Sequence, residues 1–157
     1  MNQQQAIIEK FYQAFQQLDH VTMKGCYHEH VVFSDPVFGL LEGEEVFAMW
    51  EMLCKKAKDF TLDFGDIEIV DDEYATCKWN AHYIFSGTGR KVDNKIKAFM
   101  RIQDGKIIEH SDAFSFYKWC QMAFGIKGIV FGWTNFMQAR IRRQARMNLE
   151  KFMNAGS

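Results

Sequence analysis

Three ionisable residues stand out for the chemistry they could do together. Asp35 lies in "FSDPVFG", directly before the only proline of the chain, and His110 and Asp112 lie two apart in "EHSDAF". Two carboxyls and an imidazole are groups that move protons near neutral pH, provided burial lifts a carboxyl toward the working pH. Asp-Pro taken alone is also a turn initiator. The chemical reading therefore depends on which way the strand carrying His110 and Asp112 points them.

That strand closes a hairpin at "QDGK", and two loop lengths suit it. A two-residue loop, Asp104-Gly105, pairs Arg101 with Ile108 and Lys97 with Asp112. A three-residue loop, Gln103-Asp104-Gly105, pairs Met100 with Ile108, Ala98 with His110 and Ile96 with Asp112. Only the second keeps the apolar residues of both strands on one face, so it is the expected register. His110 and Asp112 then point at an apolar, concave face, where ionisable groups need partners. A purely structural His–Asp hydrogen bond in the core fits the same pattern.

The elements that must hold these residues follow from periodicity. Ile8, Phe11, Tyr12, Phe15 and Leu18 have helical spacing and predict a helix over 3–18. Asp19 is placed to cap a second, short helix to about Tyr27. "HVVFSDP" reads as extended, because the residue before proline is pushed out of the helical region. Gly39 and Gly43 break the next loop, and Val46, Trp50, Leu53 and Ala57 share one face of a helix over 44–58. From residue 60 the period becomes two. Phe60, Leu62 and Phe64 alternate, and Ile67 and Ile69 resume one residue out of phase, which predicts a bulge at Gly65-Asp66. "YATCKWNAHYIF", residues 92–102 and "IIEHSDAFSFY" supply three more strands. Helices first and a bent antiparallel meander after them make an α+β fold. The expected architecture is a cone-shaped, strongly curved antiparallel β-sheet wrapped by N-terminal helices. Its mouth is a natural ligand pocket, with Tyr12, Phe15, Phe33, Trp50, Trp79, Tyr83, Ile96, Ala98, Met100 and Phe114 as its expected lining.

Bulk properties narrow the function classes. A chain of 157 residues is one domain by length, and 48% hydrophobic content fills its core. A net charge of −1 speaks against a generic nucleic-acid binder. The four cysteines are scattered, and "MNQQQAIIEK" lacks the pattern of a signal peptide, so a cytoplasmic protein with reduced thiols is expected. "YHEH" offers His28 and His30 at what reads as a helix end, with no third ligand placed beside them, so no metal site is expected.

The same residues resemble a known family. A helix ending in "QLDH", then "VVFSDPVFG", a Gly-led helix and a closing "DGKIIEHSDAF" are similar to the nuclear transport factor 2-like superfamily, within it to the SnoaL-like and ketosteroid isomerase-like branch. The resemblance covers about residues 3–117. It implies a conical sheet wrapped by helices, usually as a homodimer; proton transfer by the three ionisable residues needs no cofactor or metal, and none is expected. By this resemblance Asp35 matches the general base of ketosteroid isomerases, and Asp112 matches the acid/base aspartate of SnoaL-like cyclases. A dehydratase of the same fold pairs a His with an Asp, which suggests His110 with Asp35. The departures are equally specific. The oxyanion tyrosine of the isomerases falls on Phe11, with Tyr12 one step round the helix, and their protonated aspartate falls on Ala98. Steroid isomerisation by that route is not expected.

The division expected is a SnoaL-like domain over 1–117 and a helical extension over 118–157. "WCQMAFGIKGIVFGW" is apolar, and "NFMQARIRRQARMNLEKFM" is a basic amphipathic helix with Met137, Ile141, Ala145, Leu149 and Phe152 on one seam. Such a seam most often packs on a protein surface, here its own domain or a dimer mate. A membrane surface is the less favoured alternative. Function divides accordingly: a cofactor-independent isomerase, cyclase or dehydratase acting on a small hydrophobic substrate, a non-catalytic ligand-binding or dimerisation module, or a peripheral membrane protein.

Overall fold

The computed structural model describes residues 2–156. The helix α1 (Gln3–Gln16) starts where Asn2 accepts hydrogen bonds from the backbone N–H of Gln4 and Gln5. It buries Ile8, Phe11, Tyr12 and Phe15 on one face. It ends before Leu18, whose φ of 54° turns the chain. Asp19 then caps α2 (His20–Cys26) through the Thr22 N–H, as expected. The strands β1 (Tyr27–Asp35) and β2 (Gly39–Glu42) form a hairpin, and α3 (Glu44–Lys56) follows, with two glutamates in its first turn and two lysines in its last, matching the helix dipole.

Four more strands complete the sheet: β3 (Thr61–Ile69), β4 (Tyr74–Phe85), β5 (Arg90–Gln103) and β6 (Lys106–Ala113). The order is β2-β1-β6-β5-β4-β3, an open six-stranded sheet. It is mixed rather than antiparallel throughout, because β1 runs parallel to β6. The β3 bulge sits where the phase slip predicted it, with a register shift between Gly65 and Glu68 and Asp66 at φ 49°.

The β5–β6 hairpin corrects the expected register. Gln103 pairs with Lys106, so the loop has two residues, and Asp104 and Gly105 both take positive φ as a tight hairpin turn requires. A register shift follows, because Ile102 pairs with Ile107 but Arg101 pairs with Glu109. Ile108 is the extra residue. It restores the phase, so Met100 pairs with His110 and Ala98 with Asp112. The face is the one expected, and the device is a bulge instead of a longer loop.

The last strand is also shorter than read from sequence. It ends at Ala113, and Ser115 caps α4 (Phe116–Phe124), followed by α5 (Ile126–Phe131) and α6 (Asn135–Ala155). The seam of α6 packs on the chain's own domain. Leu149 is buried, Arg142 Nε donates to the Pro36 carbonyl, and Arg146 Nη1 donates to the carbonyls of Phe38 and Leu40. The pair α4–α5 folds back tightly because Gly128 has no side chain. A Cβ there would lie 2.0 Å from the Cys120 carbonyl oxygen. Gly128→Ala is therefore expected to force the two helices apart, costing about 1–3 kcal/mol. A thermal melt showing no loss of Tm would contradict that packing.

Candidate active site

A cavity of about 840 Å³ lies between the concave face of the sheet, α3 and the roof formed by α4–α6. Of the lining expected from sequence, Phe15, Trp50, Trp79, Tyr83, Ile96 and Phe114 do line it. Tyr12, Phe33, Ala98 and Met100 do not. They are fully buried behind the wall, in the core cluster formed by α1, α3 and the sheet. Tyr12 stacks on Phe64, and its hydroxyl is buried without a hydrogen-bond partner among the described residues. Phe33 is wedged edge-on against Trp50 and His110.

Asp35 and Asp112 both face the cavity. The parallel pairing brings them together: Phe33 lies beside His110 and Ser34 beside Ser111, so the next step along both strands reaches Asp35 and Asp112. His110 does not reach the cavity. It is 1% exposed and sits beneath the wall, among Phe11, Phe33, Tyr27 and Trp50.

His110 instead joins a buried chain of hydrogen bonds. Trp50 Nε1 lies 2.9 Å from the Tyr27 hydroxyl, which lies 2.7 Å from His110 Nδ1. His110 Nε2 lies 2.9 Å from Asp112 Oδ1, which also accepts from Trp79 Nε1 at 3.3 Å. Donor inventory fixes the direction. An indole N–H can only donate, so the Tyr27 oxygen accepts and its own hydrogen is left for His110 Nδ1. Burial pushes the Tyr27 phenol well above its ordinary pKa, so it stays a donor. His110 is then the neutral Nε2–H tautomer, and every donor in the chain points toward the Asp112 carboxylate. Any other tautomer leaves the Tyr27 hydrogen unpaired in a dry core.

Asp35 has a different environment. Its Oδ1 accepts from the N–H groups of Val37 and Phe38 at 2.9 and 2.6 Å, the turn geometry that Asp-Pro suggests. Burial raises its pKa from 3.8 to about 7, offset in part by the Phe38 N–H and reinforced by the charge of Asp112. Turn former and titratable group are thus the same residue. One cavity wall carries two unlike carboxyls, one held as an acceptor and one poised between its two states near neutral pH.

Two hydrogen-bond donors complete the wall. The Tyr83 hydroxyl accepts from Trp119 Nε1 at 2.9 Å, its own hydrogen meets no acceptor among the described residues, and burial raises its pKa, with Asp35 adding to the rise. The Asn94 side chain is buried, lines the cavity and makes no hydrogen bond among the described residues. Sequence reading missed Asn94. The signal was there, since it shares the strand phase of Ile96, Ala98 and Met100. His28 and His30 lie on β1, not at a helix end, and are partly or fully exposed.

A profile of the SnoaL-like domain family matches residues 8–110. The chain belongs to the SnoaL-like domain family. No curated protein matches it by sequence. Among solved structures, a nuclear transport factor 2-like protein of unknown function from Burkholderia pseudomallei is similar, with 16% identity and a TM-score of 0.69 over 80% of this chain and 100% of that one. A proposed polyketide cyclase from Xanthomonas campestris gives 17% identity and 0.64 over 77% and 96%. TerC, crystallised with polyporic acid, gives 13% and 0.66 over 78% and 98%. At such identities these likenesses establish the fold. The SnoaL-like match stops before Asp112, Phe114 and the roof helices, so most of the cavity's floor falls inside the matched residues and its roof outside them.

Proposed function

We propose that this SnoaL-like domain moves a proton at a carbon next to a carbonyl, or at a leaving hydroxyl, of a small and largely apolar ligand. The observation that carries this reading is the convergence of Asp35, Asp112, Tyr83 and Asn94 on one apolar cavity. Asp35 is the proton-moving group, because a base works best when it titrates near the operating pH. Tyr83 O–H and Asn94 N–H are the free donors for negative charge growing on the ligand oxygen. They stand in for the donors that Phe11 and Ala98 cannot supply. Asp112 holds a second polar anchor, fixed from behind by His110 and Trp79. A flat ligand suits the rings of Trp50, Trp79 and Phe60, which line the cavity. All four groups come from one chain. The homodimer and the cytoplasmic setting expected from sequence are kept as part of this proposal.

The test needs no prior substrate. Enolisable aliphatic and aromatic ketones are incubated with the protein in D₂O, and exchange at the carbon next to the carbonyl is followed by NMR. Catalysed exchange is expected for some members, with a pH profile rising through about 7 and a loss on the order of 100-fold or more in Asp35→Asn. Exchange by Asp35→Asn at the parent rate would remove Asp35 from the mechanism.

A further inference from the structure

The bend between α5 and α6 exposes apolar side chains that none of the described residues covers. Ile126 is 79% exposed, Trp133 67% and Phe136 78%, with Ile129, Val130 and Phe131 each half exposed or more. Isolated exposed apolar residues are ordinary, but six large ones within eleven positions form a patch that has a partner. The seam of α6 is not that patch, since it packs on the domain.

Charge identifies the partner. Residues 113–149 contain six Lys and Arg and no Asp or Glu. Arg142 and Arg146 are committed to the carbonyls of Pro36, Phe38 and Leu40. Lys118, Lys127, Arg140 and Arg143 are exposed and have no acidic partner among the described residues. A second copy docked across a twofold axis would set these cations against themselves. An anionic lipid surface satisfies both parts, with rings and aliphatic chains in the interfacial layer and cations among the headgroups. Among the described residues no helix is long and apolar enough to cross a membrane, and the proposed contact is with the surface.

We propose that the α5–α6 elbow seats this protein on an anionic phospholipid surface, with the cavity mouth against the bilayer. Lys127, Phe131, Phe136 and Arg140 belong to the elbow or its cationic border and also line the cavity. Seating the elbow therefore opens the cavity toward the apolar phase, from which a poorly water-soluble ligand enters. The seating itself does not rest on the proposed chemistry, and its test is blind to catalysis.

The protein is floated with vesicles of phosphatidylglycerol and phosphatidylcholine, and with phosphatidylcholine alone. Binding is expected for the first and is weakened by salt. At about 1 kcal/mol per cation near the surface, each charge is worth about fivefold, so Lys127→Ala with Arg143→Ala lowers partition on the order of 25-fold. Trp133 is the exposed one of four tryptophans, the others being 4–6% exposed. Its emission should shift blue on vesicles and stay unshifted in Trp133→Phe. Ile126→Ser with Phe136→Ser, both at exposed positions, should leave the melt unchanged and abolish flotation. Equal binding to both vesicle types, no binding, or a dimer that the same double substitution dissolves while vesicles are ignored would each overturn the proposal.

Discussion

Asp35→Asn is expected to melt at a higher temperature than the parent protein at pH 8 and at the same temperature near pH 4. The sign follows from the raised pKa. Between its ordinary value of 3.8 and about 7, the folded protein keeps a proton on Asp35 that the unfolded chain has released. Stability therefore falls as pH rises through that window, and the loss is complete above it. The full linkage would be about 4 kcal/mol. Asp35 is mostly buried but keeps contact with the cavity, and an amide accepts the Val37 and Phe38 N–H bonds less strongly than a carboxylate, so on the order of 2 kcal/mol is expected. That is a rise in Tm of about 4–8 °C at pH 8. The gain must vanish on acidification, because an uncharged Asp35 costs the fold nothing. A variant less stable than the parent at pH 8, or equally gained at pH 4, would show that Asp35 is an ordinary turn carboxylate.

How much of this was legible in the sequence differs by element. Local signals were reliable where one residue type has one physical use. Asp19 read as a cap and caps, and the phase slip at Gly65-Asp66 read as a bulge and is one. The β6 face was predicted correctly from the wrong turn. Burial fixes which side chains point inward, but a bulge at Ile108 and a longer loop restore the same phase, so periodicity could not tell them apart. The site was legible only as a set of residue types. That Asp35 and Asp112 share a cavity depends on the parallel β1–β6 pairing, which no local pattern encodes. That His110 lies beneath the wall depends on Tyr27 and Trp50, which come from different elements and meet only in the folded chain.

That buried chain makes opposite predictions for His110 and Asp112. His110→Ala removes a ring packed against Phe11, Phe33 and Trp50, leaves the Tyr27 hydroxyl without an acceptor, and leaves Asp112 with the Trp79 N–H alone. Cavity and broken network together should cost about 3–5 kcal/mol, lowering Tm by roughly 6–20 °C. Asp112→Asn behaves differently. Its Oδ1 can still accept from His110 Nε2–H and Trp79 Nε1, and its new N–H₂ can turn into the cavity, so stability should change by no more than about 1 kcal/mol. What changes is Asp35. The charge of Asp112 helps to hold the Asp35 pKa up, so its removal must move that titration to lower pH. Carboxyl NMR of Asp35 reads this directly, with no substrate. A merely structural Asp112 would leave the Asp35 titration where it was. A His110→Ala protein as stable as the parent would mean that the chain from Trp50 to Asp112 does not support the cavity wall.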